Sequence, residues 1–279
     1  MLELGEGKPI ISIIAGIHGN ETSSLLVLDK LIGRLRHLSG TVRIIFSANP
    51  PAAAEWRRMN SVDSLDMNRL FPGDKNKTIT HRLAASLVEA VSDSDAVVDL
   101  HAFEMETPLM GILIAGNENK ALIEAFSPKQ AWVINSERNE ERQFGRALSP
   151  VLSELGIPNI AVEMNSPQRI EETQVDECVD GILRVLSSHG MIDEKCTRRP
   201  FRFFERTVVE NPDEGIFVPS VSVFDTVEKG DVIGVLRKLP EFEEQRITAS
   251  CKGTVMQLLH KCFVCPGAEL AAIGREASP

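Results

Sequence analysis

Tyrosine is absent from this 279-residue chain, and its aromatic residues are twelve Phe and two Trp. Any site it builds therefore lacks the phenolic hydroxyl that many active sites use. Cationic runs are missing as well. The formal net charge is −10, and no basic stretch or arginine–aromatic patch breaks the acidic background, which excludes a nucleic-acid partner. No apolar run approaches the roughly 18 residues of a membrane span. The first residues, MLELGEGKPI, have neither the basic start nor the long apolar core of a signal peptide, so the expected location is cytoplasmic, with no membrane partner. The cysteines, Cys178, Cys196, Cys251, Cys262 and Cys265, are odd in number and scattered, which excludes a secreted disulfide framework. Repeats and low-complexity tracts are absent too.

What is present is an ordinary globular composition, 43% hydrophobic and 25% charged, in a length that suits one large domain and one small one. Pro9 to Ala15, Thr41 to Ser47, Asp95 to Leu100 and Asn159 to Met164 read as buried strands; Gly111 to Ala115 and Ala131 to Ile134 are weaker ones. Between them lie helical patterns. Thr22 to Leu38 has apolar residues at Leu25, Leu28, Ile32 and Leu35. Thr80 to Val91 has Thr78 or Thr80 as its cap. Glu140 to Leu155 should kink or break at Pro150, and Glu171 to Ser188 is the last helix. Apolar strands alternating with helices imply an α/β fold with a largely parallel sheet covered on both faces, a three-layer domain over residues 1–195. From Phe201 onward the pattern changes to short β-branched runs separated by turns at Glu214-Gly215, Lys229-Gly230-Asp231 and Lys252-Gly253. This predicts a small all-β domain over 201–279, joined by the polar linker Glu194 to Pro200.

The chemistry-bearing residues follow strand ends. The first strand runs into His18-Gly19-Asn20-Glu21, the second into Asn49-Pro50, the third ends in Asp99-Leu100-His101, and a later one ends in Glu163-Met164-Asn165. In an open parallel sheet those ends share one edge, where ligands bind. His18, Glu21 and His101 supply two imidazoles and one carboxylate, a catalytic zinc set with a fourth position open for water. Glu163 is then free to act as general base.

Together with Asp66-Met67-Asn68-Arg69, Phe71-Pro72-Gly73 and Ala161-Val162-Glu163, these motifs resemble the succinylglutamate desuccinylase/aspartoacylase family, a branch of the zinc carboxypeptidase superfamily. The resemblance spans the whole chain and implies a zinc-carboxypeptidase-like domain followed by a barrel-sandwich-like one. It implies one zinc ion on His18, Glu21 and His101, and Glu163 as the catalytic carboxylate. Asn68 and Arg69 would hold a substrate carboxylate, which suits a planar guanidinium and an amide donor. An upstream arginine would polarise the scissile carbonyl; Arg58 fits the spacing best, with Arg57 beside it as the alternative. The reaction implied is hydrolysis of a small N-acyl amino acid or related amide. Two alternatives stand beside it: a metallocarboxypeptidase acting on short peptides, and a zinc-containing binder without activity. A homo-oligomer is left open.

The chain departs from the pattern of the family it resembles in places. Many relatives place a tyrosine at the substrate pocket, and small residues follow their Asp-Leu-His motif; here Ala102-Phe103-Glu104-Met105-Glu106 follows, whose carboxylates suit either a cationic substrate group or an exposed loop. Met164-Asn165-Ser166-Pro167 stands where relatives have glycines. Cys262 and Cys265, near His260 and Cys251, have the spacing of half a structural zinc site, but strand alternation explains it equally. Arg138, Arg142 and Arg146 lie at four-residue spacing on one helical face, either a solvated face pairing with Glu137 and Glu141 or one that brings an arginine to the pocket rim. The C-terminal segment resembles biotinyl and lipoyl carrier sandwiches through Val227 to Asp231 and Gly253 to Val255, without the lysine those carriers modify. The family places this domain at the cleft entrance, where it would exclude long peptides.

Overall fold

The structure is a computed structural model that describes residues 1–114, 119–134, 142–165, 170–193, 196–260 and 263–277. Arg138, Glu137, Glu141, Ser166, Pro167 and Cys262 lie outside those residues, as does the start of the linker. In the first part, strands β1 (Leu2–Glu6), β2 (Ile10–Ile14) and β3 (Gly40–Ile45) are joined by α1 (Ser23–Arg34) between the last two. The short helix α2 (Pro50–Ala54) and a 3₁₀ turn (Met67–Arg69) precede α3 (Ile79–Val91) and β4 (Ala96–Ala102). Then come β5 (Met110–Ile114), α4 (Lys120–Phe126), β6 (Gln130–Ile134), α5 (Leu148–Glu154), β7 (Asn159–Met164) and α6 (Glu172–Ser188).

Strands β2, β3, β4 and β7 pair in parallel, β1 closes one edge antiparallel to β3, and β5 inserts antiparallel to β7. The parallel strands are largely apolar because helices cover both faces. The two-residue alternation sends neighbours to opposite sides. Ile13 and Val98 join one core with Leu28, Leu31, Ile182 and Leu186 of α1 and α6. Ile14 and Val97 join the other with Leu87 and Val91 of α3 and Val151 and Leu152 of α5. This is the three-layer α/β arrangement.

The C-terminal part contains β8 (Arg202–Glu210), β9 (Gly215–Pro219), β10 (Thr226–Val227), β11 (Val232–Lys238), β12 (Glu243–Thr248), β13 (Gly253–Leu258), β14 (Phe263–Val264) and β15 (Glu269–Ala277). Its small antiparallel sheet has the order β12-β11-β9-β14. The large sheet does not stop at the linker: β8 pairs in parallel with β6, and the hydrogen-bonded order continues through β15, β13 and β10. The C-terminal segment is therefore hydrogen-bonded into the sheet whose strand ends carry the site. Its core, including Phe217, Ile233, Leu236 and Ile273, also takes in Met105 from the segment after β4.

Two local differences from the sequence reading have a simple cause. The helix expected over Glu140 to Leu155 is divided: a 3₁₀ turn covers Arg142–Arg146, Ala147 is extended, and α5 starts anew at Leu148. Pro150 thus falls in the first turn of α5, where a missing N–H has no intrahelical acceptor to lose. Likewise α1 stops at Arg34, because Leu35 turns extended and His37 takes a positive φ of 45°.

Candidate active site

The turn after β2 is built by glycines. Gly16 has φ +72°, and Gly19 packs so tightly on α2 that a Cβ would sit 2.1 Å from the carbonyl carbon of Ala52. Asn49 braces the turn by donating to the Ile17 carbonyl at 3.3 Å and accepting from Asn60 at 2.9 Å. His18 and Glu21 are thereby set opposite β4, where Asp99 and His101 share one strand face. Glu163 on β7 is the register partner of His101.

His18, Glu21 and His101 come together. All three are buried, and their ligand atoms lie within 4.8 Å of one another. Nδ1 of His18 is 2.7 Å from one Glu21 oxygen, and Nδ1 of His101 is 3.0 Å from the other. Each ring's second nitrogen also meets a carboxylate: His18 Nε2 with Asp66 at 3.1 Å, and His101 Nε2 with Asp99 at 2.8 Å. This carboxylate–imidazole arrangement fixes ring orientation and raises ligand basicity in metal sites.

The charges say the same. Burial works against ionisation at all three groups, yet the imidazoles hold the Glu21 carboxyl well below the usual carboxylate range. At His101 burial is outweighed by Asp99 and Glu21, and at His18 by Glu21 and Asp66, so both rings are raised above the ordinary histidine value. A buried pocket that draws positive charge, with two imidazoles and one carboxylate as donors, fits a divalent cation, and the donor set is one that zinc takes. Glu163 behaves differently. Burial pushes its carboxyl up to about 7, with the lowering effect of His101 partly offset by Glu21.

Arg58, rather than Arg57, faces this cluster. Its guanidinium donates to Asp66 at 3.2 Å and lies 3.6 Å from Glu21, whereas Arg57 is exposed and pairs with Glu55. Asp66 also caps the 3₁₀ turn by accepting from the Asn68 N–H at 2.8 Å. Asn68 accepts from the Leu148 N–H through its side-chain carbonyl, and Arg69 stacks on Phe144 with 5.3 Å to the ring centroid. The cleft that these residues line has a volume of about 480 Å³. The C-terminal part completes its lining, with Arg206 paired to Glu269 and with Leu259, Phe263 and Ala268. Glu104 lines the cleft, while Glu106 is turned to His260 and bridges to Leu258.

Sequence reasoning gave Asp66 and Asp99 no role. The signal for Asp99 was its position two residues before His101 on a strand; for Asp66, nothing local separates a turn cap from a histidine partner. Trp132, Phe144 and Arg206 were missed for the same reason.

A profile of the succinylglutamate desuccinylase/aspartoacylase catalytic domain matches residues 8–189. The chain belongs to this family. Over 105 residues it is 36% identical to the N-alpha-acetyl-L-2,4-diaminobutyric acid deacetylase of Halomonas elongata; the match covers 37% of this chain and 30% of that protein. Among solved structures, a succinylglutamate desuccinylase/aspartoacylase from Rhodobacter sphaeroides superposes with a TM-score of 0.88 at 22% identity, covering 99% of this chain and 88% of that one. The product-bound Ectoine utilization protein EutE (DoeB) of Ruegeria pomeroyi gives 0.86 at 17% identity, over 97% of this chain and 86% of that one. Likeness at those identities establishes the fold, including the C-terminal strands beyond the profile. Among the described residues no helix is long and apolar enough to cross a membrane.

Proposed function

We propose that the chain is a zinc-dependent amidohydrolase that removes the acyl group from a small N-acyl amino acid, with residues 1–195 as the catalytic unit and 201–279 bordering the cleft. The observation that carries this reading is the buried His18–Glu21–His101 cluster with the carboxylate of Glu163 in register beside it. Zinc, when bound, supplies a Lewis acid that lowers the pKa of a water and polarises a carbonyl. Asp66 and Asp99 hold the two imidazoles in orientation. Glu163 takes the proton of the attacking water and passes it to the nitrogen as the carbon–nitrogen bond breaks. Burial, which raises this carboxyl in the metal-free chain, favours a group that can return a proton as well as accept one. Arg58, steered by Asp66, offers a fixed cation to the oxygen on which negative charge develops. Arg69 and Asn68 hold the carboxylate of the amino-acid half. The products are a small carboxylic acid and a free amino acid.

The acetylated diaminobutyric acid named for the Halomonas relative is a substrate of this general kind. The wall formed by Phe263, Ala268 and Glu269 favours a small substrate over a peptide. Elemental analysis should find one zinc per chain, and a panel of N-acyl amino acids should contain one hydrolysed at least ~100-fold more slowly by Glu163→Gln. Absence of zinc, or equal turnover by the variant, would overturn the reading.

A further inference from the structure

We infer that the amino-acid half of the substrate carries a large apolar side chain, which lies on a floor made by Ala161, Ile112 and Trp132. The inference rests on the deacylase reading and narrows it. The floor residues occupy one register row: Ile112 on β5 stands opposite Ala161 on β7 and opposite Trp132 on β6. Ala161 shares its strand face with Glu163, two residues along, so the row begins beside the carboxylate that meets the scissile nitrogen. With neighbouring strands ~4.8 Å apart, the floor extends about 10 Å across the sheet from β7 to β6.

Ile134 continues the same face of β6, and Phe144 packs against the group; these residues belong to one apolar cluster and all line the cleft. The indole Nε1 of Trp132 is buried without a hydrogen-bond partner, so the ring presents carbon to the cleft. Among the described residues, β5 and β6 contribute no charged side chain to its lining. The row passes from Trp132 to its register partner Phe204 on β8, and Arg206, two residues further along that face, marks the polar border of the floor, its charge paired with Glu269.

The carboxylate clamp leads onto this floor, because Arg69 stacks on Phe144. With the carboxylate at Arg69 and the nitrogen at Glu163, two substituents of the carbon that joins them are fixed. The third, the side chain, falls over Phe144 and the row. A cleft of about 480 Å³ leaves most of that floor uncovered by a small residue such as alanine. An aromatic or branched aliphatic side chain covers it and gains roughly 10- to 100-fold in kcat/KM.

The test compares N-acetyl derivatives of L-phenylalanine, L-leucine, L-alanine, L-aspartate and L-2,4-diaminobutyrate on the zinc-loaded enzyme, then repeats the phenylalanine and alanine compounds with longer acyl chains. The expected result is at least ~10-fold higher kcat/KM for phenylalanine or leucine than for the rest. Ile134→Phe, which fills the floor, should lower kcat/KM for the phenylalanine compound at least ~10-fold and so abolish that advantage. Binding gives a second reading: in Trp56→Phe, where Trp132 is the remaining indole, L-phenylalanine should shift the emission at concentrations where L-alanine does not. A preference for alanine, aspartate or diaminobutyrate, or one that follows the acyl chain instead, overturns the inference and leaves the deacylase reading standing. If no N-acyl amino acid is cleaved, that reading fails and the inference with it.

Discussion

Asp66→Asn probes the residue that joins His18 to Arg58. The carboxylate of Asp66 accepts three hydrogen bonds, from His18 Nε2 at 3.1 Å, the Asn68 N–H at 2.8 Å and Arg58 Nε at 3.2 Å, and lies 3.1 Å from Arg58 Nη2 as an ion pair. Asparagine keeps the shape but replaces one acceptor oxygen with an NH₂, which must then face either the imidazole or the guanidinium. It also removes the charge that raises the basicity of His18. Loss of such a partner costs about 10- to 100-fold in metal affinity, or roughly 1.4 to 2.7 kcal/mol. Arg58 loses its anchor at the same time, so kcat should fall further even when zinc saturates the site. The assay is zinc competition against a chelator, followed by deacylase kinetics at excess zinc, with circular dichroism to confirm the fold. Affinity and saturated kcat both within about twofold of wild type would refute the idea that Asp66 orients the ligand and the arginine together.

Other expectations concern stability. The carboxyl of Glu163 ionises at about 7 in the folded chain against an ordinary 4.5. Between those values the folded chain keeps a proton that the unfolded chain has released, so stability falls as pH rises through the interval. Metal-free Glu163→Gln should therefore gain on metal-free wild type at pH 8 and match it at pH 4.5, by about 2–4 °C in Tm per kcal/mol recovered; calorimetry showing the same difference at both pH values would contradict this. Gly19→Ala places a methyl 2.1 Å from the α2 backbone and should cost more than ~2 kcal/mol in urea unfolding. Gly33→Ala, within α1 and with open space around it, should stabilise by roughly 0.5–1 kcal/mol. Equal effects of the two substitutions would show that the close approach of the His18 turn to α2 does not matter.

Much of the architecture was legible in local pattern. Asn159–Met164 is a strand from end to end as read, because an apolar run after Gly156 and Pro158 has few alternatives. The candidate ligands were legible because His18 and Glu21 sit on one short turn and His101 ends a strand that must share their edge. Pro150 was misjudged because its tolerance depends on where the helix restarts, and that is decided by Ala147 and by the Asn68 contact to Leu148.

By itself, then, the sequence determined the layers, the strand ends and the types of ligand, since these follow from two-residue and helical periodicity and from donor chemistry. Only the tertiary structure decided that Arg58 turns inward rather than Arg57, and that Asp66 and Asp99 complete the imidazoles. It alone showed that β8 extends the main sheet and that Ala161, Ile112 and Trp132 form one row. Such facts depend on register between strands distant in the chain and on which charge a buried partner attracts. Pairing and burial of that kind exist only once the chain has closed on itself.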